Sequence, residues 1–301
     1  MPRVRLAAFP KAYMDQLVTD HTMTVIEWID LAAQLPIQGL ELYGGFFSSD
    51  SDPYIEEVYE RMKQRELAMP MFCVSPDFTH PDHAVRRAEV EREKQMIAIT
   101  ARFGCPLPRT CRVLSGQRRL EVPVDKGIHW VVECIEELLP VAEKYQVILA
   151  LENHYKDNFW EHPEFAQYLS IFIQILDAID SPWFGVNYDP SNAILAGEDP
   201  LDVLRAVKER VVSVHASDRF LRPGYTIDDL RTQEDSRGYA RILQHGEIGR
   251  GLNNYDAIFS ILRDSGFSGW ISIEDGVNGF EELERSCAFL RAKIKEHFGD
   301  A

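Results

Sequence analysis

Four apolar stretches in the second half of the chain each end in a side chain that can bind a metal ion. They are VILALE (147–152), WFGVNYD (183–189), VVSVH (211–215) and WISIE (270–274), which end in Glu152, Asp189, His215 and Glu274. Short apolar runs of this kind are typical of strands buried on both faces of a parallel sheet. Parallel strands with polar side chains at their carboxyl ends build the active site of an α/β barrel. The four stretches therefore predict an enzyme.

The alternation of strand and helix extends over the whole chain. Candidate strands cover 5–9, 39–43, 70–74, 110–114, 147–152, 184–189, 211–215 and 270–274, and helix-like segments cover 23–35, 55–65, 83–103, 127–145, 164–179, 201–209, 255–264 and 281–298. Eight such units predict one domain over residues 1–301, a single (β/α)8 TIM barrel of the α/β class. An open doubly wound sheet is the alternative, which the lack of a glycine fingerprint for dinucleotides or phosphates disfavours.

Composition and charge exclude several classes of partner. The formal net charge of −16 disfavours binding to nucleic acid or to an anionic membrane surface. No apolar stretch approaches the roughly 20 residues of a membrane span. Five scattered cysteines without a CxxC pair, and a start that lacks the pattern of a signal peptide, predict a reduced, cytoplasmic protein.

The connection that follows the seventh strand is unusually long. It runs from about 217 to 254 and contains the glycine-rich segment QHGEIGRG (244–251). Loops of this length are usually functional or mobile. We expect this one to cover the site as a lid or to contact another subunit.

The ligand types at the four strand ends point to a hard divalent cation. Three carboxylates and one imidazole suit Mn²⁺, Mg²⁺ or Co²⁺ better than structural zinc, which favours thiolate and imidazole. Each residue alone is explained as well by an ion pair, a helix cap or a turn. Four of them in successive strands favour a shared metal site.

The segments LALENH, NYDPSN, VHASD and ISIEDG resemble the xylose-isomerase-like barrels, a family that includes sugar epimerases and inosose dehydratases. The resemblance covers essentially the whole chain and implies that Glu152, Asp189, His215 and Glu274 bind one divalent ion, with Mn²⁺ the first choice. It also implies that Glu152 and Glu274 transfer protons to and from the substrate. Two positions depart from the family pattern, because Asn192 replaces a common histidine and Ser217 a common lysine.

The chemistry that fits such a site is enolisation of a hydroxy-ketone. A cation bound to the carbonyl stabilises the developing enediolate, and a base within hydrogen-bonding reach then removes the α proton. We therefore predict a metal-dependent sugar isomerase or epimerase. The alternatives are a lyase or hydratase acting on 3-keto-glycosides, including the catalytic subunit of a C-glycoside deglycosidase, and a non-catalytic sugar-binding barrel. The sequence leaves open a homo-oligomer or a small partner subunit.

Further residues are candidates for the same site. His154 is expected either to transfer protons or to orient a ligand carboxylate. The candidates for contact with the substrate lie at other strand ends and in the connecting loops: Glu41, Ser115, Trp160, Asn192, Asp218, Arg219, His245 and Glu247. Surface pairing explains Asp218 and Arg219 equally well, and a tight turn explains His245 and Glu247 nearly as well.

Overall fold

The strands of a computed structural model of the chain form a closed parallel barrel. The structure describes residues 4–49, 51–103, 109–157, 159–232, 241–274 and 278–299. The barrel strands are β1 (Arg5–Ala8), β2 (Gly39–Leu40), β3 (Leu42–Tyr43), β4 (Met71–Cys73), β5 (Thr110–Val113), β6 (Ile148–Glu152), β7 (Phe184–Tyr188), β8 (Val211–Ala216) and β11 (Trp270–Ile273). Their order is β2-β1-β11-β8-β7-β6-β5-β4-β3, and every neighbouring pair is parallel.

The ring closes through a single residue. The strands β2 and β3 are consecutive in the chain and are separated only by Glu41, so the two ends of the row of strands meet there. The pair corresponds to one barrel strand, which gives eight strands in all. The predicted TIM barrel is confirmed. Each predicted strand segment either contains an observed strand or has bounds that differ from it by one residue.

Nine α-helices in the described residues surround or cap this barrel. They are α1 (Val25–Ala32), α2 (Asp52–Gln64), α3 (His83–Arg102), α4 (Val124–Tyr145), α5 (Leu169–Ala178), α6 (Pro190–Leu195), α7 (Pro200–Val207), α8 (Tyr255–Asp264) and α9 (Phe280–Phe298). The largest hydrophobic cluster joins residues of the barrel strands to residues of the surrounding helices. None of the described helices combines the length and the apolar character that crossing a membrane requires.

Two short elements on the carboxyl side of the barrel were not predicted. Helix α6 starts directly after β7, with Pro190 in its first turn, where the missing N–H of proline costs nothing. The long connection after β8 contains an antiparallel hairpin of β9 (Arg219–Leu221) and β10 (Leu243–His245), followed by a chain segment that leads to α8. Both elements lie beside the ends of the strands that carry the predicted metal ligands.

Candidate metal centre and pocket

The four predicted metal ligands converge at the carboxyl end of the barrel. One ligand atom from each of Glu152, Asp189, His215 and Glu274 lies within 4.8 Å of those of the other three. All four side chains are buried. They come from the ends of β6, β7, β8 and β11, which are neighbours in the sheet, so parallel pairing brings their side chains to one place.

Glu152 is held through both of its carboxylate oxygens. Its Oε2 accepts a hydrogen bond of 2.9 Å from Nη1 of Arg112, which reaches across from β5. Its Oε1 accepts one of 3.2 Å from the amide of Asn192 and lies 3.3 Å from Nδ1 of His215. Asn192, predicted as a substrate contact, thus contacts a candidate ligand, and Oε1 is the oxygen that faces the other ligands.

Asp189 combines its place in the cluster with a role in local folding. Its Oδ1 caps α6 by accepting hydrogen bonds from the backbone N–H groups of Ser191 (2.7 Å) and Asn192 (3.2 Å). The hydroxyl of Ser217 donates to the same oxygen at 2.7 Å. The backbone of Asp189 is tied to the side chain of Asn153 by two further hydrogen bonds. The carboxylate is therefore fixed before any ligand arrives.

His215 is oriented by carboxylates on both ring nitrogens. Nδ1 faces the cluster, 2.7 Å from Oε2 of Glu274, and Nε2 lies 2.8 Å from Oε2 of Glu41. A histidine that binds a metal almost always donates its second N–H to a carboxylate, carbonyl or water. Glu41 is fully buried behind the imidazole. This predicted substrate contact therefore supports His215, with Nδ1 left as the nitrogen directed at the ligands.

The buried groups shift one another's pKa. Burial, together with the charges of Glu274 and Glu152, raises the pKa of Asp189 to about 7. Burial acts to raise the pKa of Glu152 as well, but the positive charges of His215 and Arg112 lower it to about 2. Burial acts to lower the pKa of His215, yet the surrounding carboxylates, Glu274 first, raise it well above its usual value.

The charge balance of the cluster fits one divalent cation. Four buried carboxylates meet here, those of Glu41, Glu152, Asp189 and Glu274. Among the described residues, the cationic side chains of Arg112 and Lys11 approach them, at 2.9 Å from Glu152 and 3.5 Å from Glu274. Since burying several carboxylates together is costly without a compensating positive charge, this cluster favours a bound divalent cation.

A narrow pocket opens above the cluster. Its lining consists of Phe9, Lys11, Met14, Tyr43, Arg112, His154, Lys156, Asp157, Phe159 and Glu274. Glu274 is thus the candidate ligand that faces the pocket, and His154 lines the pocket as well. The Nδ1 atom of His154 is buried and has no hydrogen-bond partner among the described residues. Burial lowers the pKa of His154 and keeps its ring neutral near pH 7.

Another cavity, away from the cluster, is larger than this pocket. The pocket above the cluster has a volume of about 40 Å³, whereas a cavity of about 470 Å³ lies between α6, α7 and the long connection. We assign function to the smaller one, because the buried acidic groups converge there. The ring of Phe159, which is 62% exposed, stands at its edge. Admission of a ligand larger than a few water molecules requires side chains such as this one to move.

The other predicted substrate contacts lie outside the pocket lining. Ser115 donates its hydroxyl to the buried Glu164. Trp160 is half-buried, and its neighbour Phe159 lines the pocket instead of it. Glu247 forms ion pairs with Arg250 and Arg285 at the surface.

Asp218, Arg219 and His245 belong to the structure of the long connection. Both oxygens of Asp218 accept hydrogen bonds from backbone N–H groups, and four such groups converge on the carboxylate. Arg219 is buried, and its Nη1 donates to the carbonyl of Asp218 at 2.9 Å. His245 pairs with Arg219 in the hairpin. The surface pairing considered for Asp218 and Arg219 is wrong, because both side chains are buried.

Sequence reasoning missed several residues of the pocket, Arg112 above all. A charged residue in the middle of the apolar stretch TCRV is the signal that marks it, since a strand buried on both faces rarely carries a charge without a partner. Lys11, Lys156 and Asp157 follow strand ends but carry no spacing that distinguishes them from surface residues. Their contribution depends on how the loops fold over the barrel.

The comparisons with known proteins agree with this architecture. The chain is 26% identical over 128 residues to inosose dehydratase of Bacillus thuringiensis (strain Al Hakam), covering 40% of this chain and 41% of that protein. It is 30% identical over 128 residues to 3-oxo-isoapionate decarboxylase of Pectobacterium atrosepticum, covering 42% and 38%. The chain thus spans about two fifths of the length of the curated relatives it matches.

Structural and family comparisons extend over nearly the whole chain. The crystal structure of a D-tagatose 3-epimerase-like protein superposes with a TM-score of 0.74 at 18% identity, covering 98% of both chains, which shows a common fold. The model of the family described as xylose isomerase-like TIM barrel matches residues 29–293. The relatives named above are enzymes, an inosose dehydratase and a decarboxylase. With a match over most of its length, this chain belongs to the xylose isomerase-like TIM barrel family.

Proposed function

We propose that the protein is a divalent-metal-dependent enzyme that removes a proton next to the carbonyl group of a keto sugar. The observation that carries this proposal is the buried convergence of Glu152, Asp189, His215 and Glu274 within 4.8 Å. Three carboxylates and an imidazole suit Mn²⁺, with Mg²⁺ or Co²⁺ as alternatives. Held by these four residues, a divalent ion would polarise a substrate carbonyl and stabilise the negative charge that develops when the neighbouring carbon loses its proton.

The chain's own residues divide the remaining work. Glu274 is the ligand carboxylate in the pocket lining, so it is our candidate for the base that takes the α proton. His154, neutral and in the same lining, is our candidate for the group that accepts a proton from a substrate hydroxyl, while the protonated carboxyl group of Glu274 returns its proton to the substrate. Glu152 does not line the pocket, and Arg112 and Asn192 each donate a hydrogen bond to one of its oxygens, which favours a positioning and ligand role for it over proton transfer.

The reaction class that we place first is isomerisation or epimerisation of a free keto sugar. The second candidate is a lyase or hydratase acting on 3-keto-glycosides, because the same enolisation prepares a β-leaving group for departure. The apolar side of the pocket supports this second candidate. Phe9 and Met14 line it, and the ring of Phe159 is 62% exposed at its edge, where an aglycone would contact it. The relatives named as a dehydratase and a decarboxylase also catalyse eliminations, the general type of reaction of this second candidate.

The first experiment tests for the metal and the base. Purified protein is analysed for bound divalent ions, stripped with a chelator and reloaded with Mn²⁺. Solvent deuterium uptake next to the carbonyl of ketohexoses and 3-keto-glucosides is then followed by NMR. We expect Glu274→Gln to abolish the uptake and Glu247→Gln, a surface control, to leave it unchanged. Deuterium uptake that is insensitive to chelation and to Glu274→Gln would reject the proposal.

The same NMR spectra separate the two reaction classes. Epimerised or isomerised ketohexoses support the first candidate, and release of an aglycone from a 3-keto-glucoside supports the second. Binding of either sugar without any turnover by the Mn²⁺-loaded protein would favour the non-catalytic sugar-binding barrel.

A further inference from the structure

The side chain of Arg112 connects the candidate metal centre to the wall of the pocket. Nη1 donates to Oε2 of Glu152 at 2.9 Å, and Nη2 donates to the hydroxyl of Ser75 at 2.8 Å. The same hydroxyl donates to Oδ2 of Asp157 at 2.7 Å. One guanidinium from β5 therefore joins the end of β6, the loop after β4 and the loop after β6.

The position of Arg112 requires an explanation. Its side chain is 7% exposed, and it lies in a strand whose four residues are all buried. A buried ion pair is weak support for folding stability, since desolvation offsets most of the attraction between the charges. The geometry of the contacts is more informative, because the planar fork of arginine holds two acceptors in fixed directions and lysine cannot do so.

We propose that Arg112 is a positioning residue with two arms, an inference that rests on the proposed function. The first arm holds Oε2 of Glu152, which leaves Oε1 directed toward His215 and the other ligand atoms. The second arm holds Ser75 and, through it, Asp157 in the lining of the pocket. Metal binding and the shape of the pocket are thereby fixed by one side chain.

The second arm acts on the loop that follows His154, the proposed proton acceptor. Asp157 also accepts a hydrogen bond of 2.9 Å from the backbone N–H of Phe159, and its carbonyl accepts one of 3.1 Å from Trp160. Fixing Asp157 therefore fixes the turn that places Phe159 at the edge of the pocket. His154 precedes this turn by three residues.

The test measures metal affinity and loop protection separately, and needs no substrate. The chelator-treated protein is titrated with Mn²⁺, and the free ion is followed by electron paramagnetic resonance. Hydrogen–deuterium exchange of peptides that cover 153–163 reports on the loop. Arg112→Lys keeps the charge but loses the fork, and Ser75→Ala removes only the second arm. Arg86→Lys is the control, since Arg86 is equally buried but donates to the backbone carbonyls of His80 and Pro81.

The two arms predict different results for the three variants. We expect Arg112→Lys to weaken Mn²⁺ binding about 10- to 100-fold, as the loss of an outer partner of a metal ligand does, and to speed exchange over 153–163. Ser75→Ala should speed the exchange while the affinity stays within about threefold, a change well below that loss. The control should change neither. Unchanged affinity in Arg112→Lys, or unchanged exchange in Ser75→Ala, overturns the corresponding arm. If Arg112→Lys does not fold, Ser75→Ala still decides the second arm. Wild-type protein that binds no Mn²⁺ would instead reject the proposed function.

Discussion

The carboxylate of Asp218 offers a direct test of how the long connection is held over the barrel. Its Oδ2 accepts hydrogen bonds of 2.9 Å from the N–H groups of both Gly249 and Gly251. Its Oδ1 accepts bonds of 3.0 and 3.2 Å from Arg219 and Asn253. In Asp218→Asn, an NH₂ group takes the place of one oxygen, so two of these backbone donors face another donor.

The expected magnitude follows from these contacts. A hydrogen bond to a charged group contributes about 1.5–3 kcal/mol, so two lost bonds cost roughly 3–6 kcal/mol. Asparagine removes the cost of burying a charge, which offsets part of this loss. We therefore predict that Asp218→Asn lowers the free energy of unfolding by about 2–4 kcal/mol. Urea unfolding followed by circular dichroism measures this change.

A control variant and a binding measurement distinguish the two roles considered for Asp218, which are anchoring the long connection and contacting the substrate. Glu247→Gln lies in the same connection but breaks only surface ion pairs with Arg250 and Arg285, so it should cost less than about 1 kcal/mol. If Asp218 contacts the substrate instead, Asp218→Asn will unfold at the wild-type urea concentration and bind the substrate more weakly. That result would refute the anchoring role.

Three further predictions address the interior and the pocket. Burial raises the pKa of Glu93 to about 8, so between pH 4.5 and 8 the folded protein holds a proton that the unfolded chain has released. Stability should therefore fall with rising pH by up to ~5 kcal/mol from this group, and urea titrations of Glu93→Gln should lack that slope. Gly127→Ala should destabilise by about 1–3 kcal/mol in urea despite its better helix propensity, because the new Cβ would lie 2.4 Å from the ring of Phe165; a more stable variant would contradict this. Phe159→Ala should raise KM without lowering the melting temperature, since the ring is 62% exposed; equal KM values would exclude it from substrate binding.

The barrel was predictable because its strands are buried on both faces. Runs such as ILALE and WISI contain no alternation of polar residues, and each ends where a polar residue meets the carboxyl face. Helix α6 has only six residues and follows a strand without a linker, so its periodicity could not be detected. The hairpin of β9 and β10 joins segments more than 20 residues apart, and its register depends on tertiary contacts.

The candidate ligands were predictable from their positions at strand ends. The residues that line the pocket were not, because their positions depend on tertiary contacts. Each ligand sits at the end of its own strand, and the parallel barrel brings neighbouring strand ends together. Ser115 also follows a strand, yet its hydroxyl contacts Glu164, which is distant in sequence. Asp218 follows β8 closely, but backbone groups about 30 residues further along surround its carboxylate. Residue type and strand position cannot reveal partners of this kind.

The hydrogen bond between Glu41 and His215 spans the lumen of the barrel and joins strands that are not neighbours. Glu41 occupies the one-residue gap between β2 and β3, where the cylinder is sealed. The orientation of the His215 imidazole therefore depends on the shape of the barrel where β2 and β3 meet. Loops at the rim can vary without moving this hydrogen bond, whereas a change at Glu41 would alter the orientation of His215 without changing any of the four candidate ligands.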